Sequence, residues 1–185
     1  EEVLLIVETA WRIACEAAGS PAAVWAGFGP PAAEANEESA DGVSDAGSEP
    51  YLFEQEMRIK ADRFVELGAR HFLFETFDDD ALPLRICAHI KAACPDAVTL
   101  VSFAVSPDGT ARSGRTGSEL ARSANASPAV DIIGFNCISG PTHLINYLRT
   151  LDVQGGLGKP LSVMPNAGYP TITEGRTVYR NNPEY

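Results

Sequence analysis

Several things are scarce in this 185-residue chain. No apolar run approaches the ~20 residues that a membrane-crossing helix needs. The opening stretch, Glu1-Glu2 followed by "VLLIVETAWRIAC", has no basic start and no small-residue cleavage site, so it does not read as a secretory leader. Basic residues are few: Lys and Arg total 14 against 25 Asp and Glu, a net charge of −11, which repels rather than neutralises nucleic-acid phosphates and anionic lipid. No GxGxxG follows the first apolar strand, and no GK[ST] closes a glycine-rich loop, so neither a dinucleotide fingerprint nor a P-loop is present. The four cysteines, Cys15, Cys87, Cys94 and Cys137, form no CxxC pair and match no disulfide framework, which points to a reducing, cytoplasmic compartment.

What is present is a repeated alternation. Residues 3–18 predict a helix that ends at Gly19-Ser20-Pro21. "AAVWAGF" (22–28) reads as a buried strand. The stretch 32–50 holds six acids and no base, shows no period, and reads as a mobile acidic loop. Phe53, Met57, Phe64 and Leu67 recur at helical spacing over 51–67, and Gly68 stops the helix. "HFLFETF" (71–77), "AVTLVSFAV" (97–105), "VDIIGFN" (130–136) and "PLSVM" (160–164) read as strands, with helices expected over 79–93, 116–124 and 141–151 between them. The strands are unbroken apolar runs rather than in/out alternations, the pattern of a parallel sheet covered by helices.

Such a sheet is either an open doubly wound sheet or a (β/α)8 barrel. Polar residues mark four strand ends: Glu75-Thr76, Ser102, Asn136-Cys137 and Asn166. A barrel gathers its site from many strand ends, whereas an open sheet uses one switch point, so the barrel is favoured. A whole barrel takes ~250 residues. Five strand-helix units therefore predict an interior fragment, residues 1–185, with strands missing at both ends.

Cys137 follows a strand and precedes a helix opened by Gly140-Pro141, whose N-terminus favours a thiolate, the state that a metal ligand or nucleophile requires. Equally, it reads as a small buried hydrophobe. Glu75 suits a substrate ammonium group or a base, or it is a solvated strand-end acid. Asp78, Asp79 and Asp80 read as caps for the next helix. Asn166 in "MPNAGYP" binds substrate or shapes a turn. The loop 106–117, with its glycines and two arginines, reads as a solvent loop, with a phosphate cradle as the alternative, though it fits no P-loop spacing. Cys87, Cys94 and Cys15 read as packed core thiols. His71 begins a strand, His89 lies on a helix, and His143 is the histidine nearest the proposed site.

"GFNCISGPTHLINYLRTL" and "KPLSVMPNAGYPTITEGRTVY", together with "GARHFLFETFDD", resemble the homocysteine S-methyltransferase family along essentially the whole chain. The wording is closest to bacterial members fused to a methylenetetrahydrofolate reductase. The resemblance implies a (β/α)8 barrel that uses zinc to transfer a methyl group to the thiol of homocysteine, giving methionine. Its partners are homocysteine and a methyl donor, with a reductase domain fused in the parent protein. It makes Cys137 one zinc ligand, with an adjacent cysteine pair expected beyond residue 185. It places the homocysteine amino group on Glu75, with Thr76 lining that pocket and Asn136 and Asn166 beside the metal and substrate. Two other functions remain compatible with the residues alone: a barrel lyase or aldolase with Glu75 as base, and a non-catalytic barrel that binds a thiol amino acid.

Overall fold

The computed structural model describes residues 2–19, 22–31, 49–153, 156–167 and 170–179. The alternation becomes α1 (Glu2–Ala18), β1 (Ala26–Phe28), α2 (Glu49–Glu66), β2 (His71–Phe77), α3 (Ala81–Ala93), β3 (Val98–Phe103), α4 (Gly117–Ala126), β4 (Ile132–Asn136), α5 (Pro141–Val153) and β5 (Leu161–Met164). The five strands form one sheet in the order β1-β2-β3-β4-β5, every pair parallel. The spatial order follows the chain order without reversal. A doubly wound sheet would reverse at its switch point; this one does not.

The pleat divides the sheet into two faces. Phe74, Val101 and Ile133 stand in register, as do Phe103, Phe135 and Val163. These side chains, except Val163, join Met57 and Ala61 of α2, Ile86, Cys87 and Ile90 of α3, Leu120 and Ala124 of α4 and Leu144 of α5 in one buried core. Helical spacing explains the choice: Met57 and Ala61 are four apart, as are Ile86 and Ile90, so each pair shares a helix face. Phe28 stacks on Phe74 with ring centroids 5.0 Å apart, and Phe28 also meets Phe64 edge-on. On the opposite face the alternate residues are Leu73, Leu100, Ser102, Gly134 and Asn136. At the β5 edge, Leu161 and Val163 are exposed although they continue the rows of buried Ile133 and Phe135.

Local chemistry sets the boundaries. Thr116 opens α4 with a capping box: its side chain accepts from the Glu119 N–H, and its own N–H donates to Glu119 Oε2 at 2.8 Å. Gly68, two residues past the end of α2, turns the chain at φ 89°, a conformation that L-residues avoid.

Four expectations need correction. Only Ala26–Phe28 of the run 22–28 pairs as a strand, because β1 meets β2 along three residues. Positions 32–48 of the acidic stretch lie outside the described residues, and Glu49-Pro50 begin α2 rather than ending a loop. Cys15 is exposed, not packed in the core. An antiparallel hairpin, β6 (Pro170–Thr173) with β7 (Arg176–Tyr179), follows β5 and was not foreseen. Among the described residues no helix is long and apolar enough to cross a membrane.

Candidate active site

Polar side chains meet where β2, β3 and β4 end. The register of β2 against β3 shifts between Phe74 and Phe77, so Glu75 and Thr76 form a bulge inside β2 rather than following it. Thr76 takes a left-handed φ of 65°. That conformation turns its backbone N–H onto Asn136 Oδ1 at 2.9 Å. The same oxygen accepts from Ser102 Oγ at 2.7 Å. Asn136 Nδ2 donates to Thr76 Oγ1 at 2.8 Å and to Cys137 Sγ at 3.3 Å. One amide thus ties three strands together with both its acceptor and its donor capacity filled, which also fixes which end is oxygen. Asn136 and Ser102 are buried, so each bond replaces a lost bond to water, and breaking one strands its partner.

Gly134 makes this possible. A Cβ there would stand 2.7 Å from Ser102 Oγ and 2.9 Å from Ser102 Cβ. Without it, Ser102 lies across the register neighbour Gly134 and reaches Asn136.

The chain then turns sharply. Cys137 and Ile138 are both left-handed, at φ 58° and 56°. For a β-branched residue such as Ile138 this is a true outlier, and backbone strain of this kind gathers at functional sites. The turn is pinned by its backbone. Cys137 N–H donates to Met164 O at 3.1 Å, and Asn166 N–H donates to Ser139 O at 3.1 Å. Ser139 Oγ donates to Val105 O at 2.8 Å. Cys137 Sγ is left half-buried, with Asn136 Nδ2 and, at 3.9 Å, the Thr76 hydroxyl directed at it. The sulfur is an acceptor here, the part that a thiolate or a metal-bound sulfur plays.

The other sequence candidates fall around this centre. Glu75 is exposed on the bulge, next in the chain to Thr76. Asn166 joins the site through its backbone, the turn-shaping reading of that residue. His143 lies half-buried in the first turn of α5, and His71 opens β2 at the far end from the mouth. The aspartates divide their work: Asp79 Oδ1 caps the Ala81 N–H at 2.8 Å, while Asp80, the N-cap residue, makes no capping bond and instead pairs with Arg115. Cys87 and Cys94 are buried, as expected. Burial pushes the Cys87 thiol up to about 12, far from any reactive range.

A cavity of about 310 Å³ opens at the strand ends beside Thr76 and Ile138, with Asp78, Ala104, Arg112 and Pro31 also on its walls. Ser102 stood out in sequence only as a strand-end marker, and its bond to Asn136 was not foreseen. Arg112 was read as part of a solvent loop and Asp78 as a helix cap, yet both line this cavity. Among the described residues no group of three or more His, Cys, Asp or Glu stands close enough together to hold a metal ion.

A parallel α/β sheet with a thiol, a side-chain amide and hydroxyls collected at its strand ends belongs to the class of folds that build small-molecule sites at that end. Within that class, the chain belongs to the homocysteine S-methyltransferase family, whose model matches residues 1–185. Similar curated proteins are the methionine synthases of Mycobacterium leprae (strain TN), 28% identical over 141 residues, and Mycobacterium tuberculosis (strain ATCC 25618 / H37Rv), 27% identical over 141 residues. Each match covers 75% of this chain and only 10% of the relative's length. The fold is shared with the crystal structure of the homocysteine methyltransferase MmuM from Escherichia coli in its apo form, at a TM-score of 0.57 and 21% identity, covering 87% of this chain and 55% of that one.

Proposed function

We propose that this chain is the homocysteine-binding part of a methyltransferase that moves a methyl group onto the thiol of L-homocysteine, giving methionine. Its five strands are then consecutive members of a (β/α)8 barrel, a reading supported by their unreversed order. The observation that carries the functional reading is the Cys137 sulfur, held at the open strand ends by Asn136 and Thr76 rather than packed in hydrocarbon.

The chemistry needs an activated sulfur. The homocysteine thiol gives up its proton, its lone pair forms the S–CH3 bond, and the bond from that methyl to the donor breaks in line. The chain's share is to bind and orient. Glu75 takes the substrate ammonium, Thr76 lines that pocket, and Asn136 and Asn166 border the reacting sulfur. Asn136 acts through its four hydrogen bonds, which keep Cys137 and Thr76 in one arrangement as substrate arrives.

Zinc accompanies the family resemblance; when bound, it holds a thiol as thiolate at neutral pH. Cys137 is the one thiol at this mouth among the described residues, and a single sulfur does not make a tetrahedral centre. The described residues therefore do not fit zinc by themselves, and the adjacent cysteine pair expected beyond residue 185 would have to complete the site.

Methionine formation from L-homocysteine, assayed on the protein at its full natural length with a panel of methyl donors, tests this reading. Cys137→Ala should lower turnover by roughly a thousandfold, about 4 kcal/mol of transition-state stabilisation. Cys15→Ala, an exposed position of α1 away from the strand ends, should leave it within about twofold. Undiminished methionine formation in Cys137→Ala would refute the reading.

A further inference from the structure

Two arginines of one loop meet different fates. Arg115 is engaged by Asp80 and Asp79 at the start of α3. Arg112, three residues earlier, is exposed and lies on the wall of the cavity at the strand ends. Asp78 lies on the same wall. Among the described residues no ion pair joins Arg112 to Asp78, and neither side chain pairs with another charge. Ser113 Oγ holds the backbone carbonyl of Asp78, so the loop carrying Arg112 is tied to the strand end carrying Asp78. The rest of the lining is Pro30, Pro31, Ala104 and Ile138, with Thr76 as its other polar side chain.

We propose that Arg112 and Asp78 are a recognition pair for a small zwitterion, Arg112 taking its carboxylate and Asp78 its cationic nitrogen or sulfur. This rests on the proposed methyltransferase reading and adds to it residues that the family resemblance did not supply. The guanidinium presents a planar fork that matches a carboxylate in two parallel hydrogen bonds. Opposite charges on one cavity wall, each lacking a charged partner among the described residues, are satisfied together by a ligand that carries both signs. A volume of about 310 Å³ suits a metabolite and lies at the small end of ligand pockets. The cavity also shares Thr76 with the Cys137 centre, so a bound zwitterion would sit beside the hydroxyl that is directed at the Cys137 sulfur. Two ligands of the proposed reaction have this chemistry: homocysteine itself, whose ammonium Asp78 would then share with Glu75, and a methyl donor of the onium-carboxylate type such as betaine or S-methylmethionine.

Calorimetric titration of the protein at its full natural length separates the possibilities. The ligands are L-homocysteine, its decarboxylated analogue mercaptopropylamine, its deaminated analogue mercaptobutanoate, betaine and S-methylmethionine. Arg112→Ala should weaken a zwitterion by about tenfold to a hundredfold, the scale of a lost charge-assisted bond. For homocysteine the same variant should leave mercaptopropylamine unchanged. Asp78→Asn should weaken homocysteine and mercaptopropylamine alike and spare mercaptobutanoate. Losses confined to homocysteine and its analogues assign the pair to the methyl acceptor; losses confined to betaine or S-methylmethionine assign it to the donor. If neither variant shifts any ligand while Cys137→Ala weakens homocysteine, the pair is refuted and the methyltransferase reading stands. If the unaltered protein binds none of the five, both fall.

Discussion

Cys87 and Cys137 carry the same thiol into two different surroundings. Cys87 projects from α3 into the helix-covered face of the sheet, fully buried, and burial holds its proton on up to about 12. Cys137 stands at the strand ends, half-buried, with an amide N–H and a hydroxyl directed at its sulfur. The core side solves a packing problem with Phe, Ile and Ala, and a sulfur there serves as one more apolar atom. The mouth solves a polarity problem: left-handed residues at 76, 137 and 138 aim backbone and side-chain groups at one another, and Asn136 closes the set. Burial thus makes one sulfur inert, while a bonded, open setting leaves the other available.

The hardest blow to this contrast is Asn136→Leu. It strands the Thr76 N–H and the buried Ser102 hydroxyl and replaces a satisfied amide with hydrocarbon. Urea denaturation should show a loss of about 3–5 kcal/mol. A loss below about 1 kcal/mol would mean that the three strand ends do not depend on that amide.

A smaller effect tests the core side. Below the unfolded thiol's value of 9.0, folded and unfolded chains both keep the Cys87 proton, so its contribution to stability is intact. Between 9.0 and about 12 the unfolded chain releases the proton first, and stability should fall as pH rises. The slope approaches about 1.4 kcal/mol per pH unit. Cys87→Ala, compared with the parent over that window, should be flatter by this amount; parallel curves would contradict the buried assignment.

The smallest effect sharpens the mouth side. Ile138 is 42% exposed and left-handed, so Ile138→Asn sacrifices little burial and relieves a conformation that asparagine tolerates. Thermal denaturation should register a gain of about 0.5–1 kcal/mol. A loss would show that Ile138 is held there by packing.

Much of this was readable in the chain. Strands buried on both faces write themselves as unbroken apolar runs, so β2, β3 and β4 were plain, and Met57, Ile86 and Ile90 announced their helix faces by spacing. Asn136-Cys137 stood out because a polar pair interrupts such a run just before a helix. Other features depend on distance in space. Nothing local says that Thr76 will meet a residue 60 positions away. Arg112 and Arg115 look alike in sequence, and only the approach of α3 pairs one of them. Cys15 shares a helix face with Val7 and Trp11, yet it stays exposed, on the wall of an open cleft that α1 makes with Gly68, Arg70 and His71. The hairpin of β6 and β7 had a signal, Glu174-Gly175 between "TIT" and "RTVY", that went unread.

The central claim is that the sulfur at position 137 faces substrate while that at 87 does not. Iodoacetamide modification of the native full-length protein, followed peptide by peptide by mass spectrometry and in parallel by methionine formation, tests it most directly. Activity should fall in step with modification of Cys137 while Cys87 stays unmodified. Complete modification of Cys137 with activity intact would contradict it.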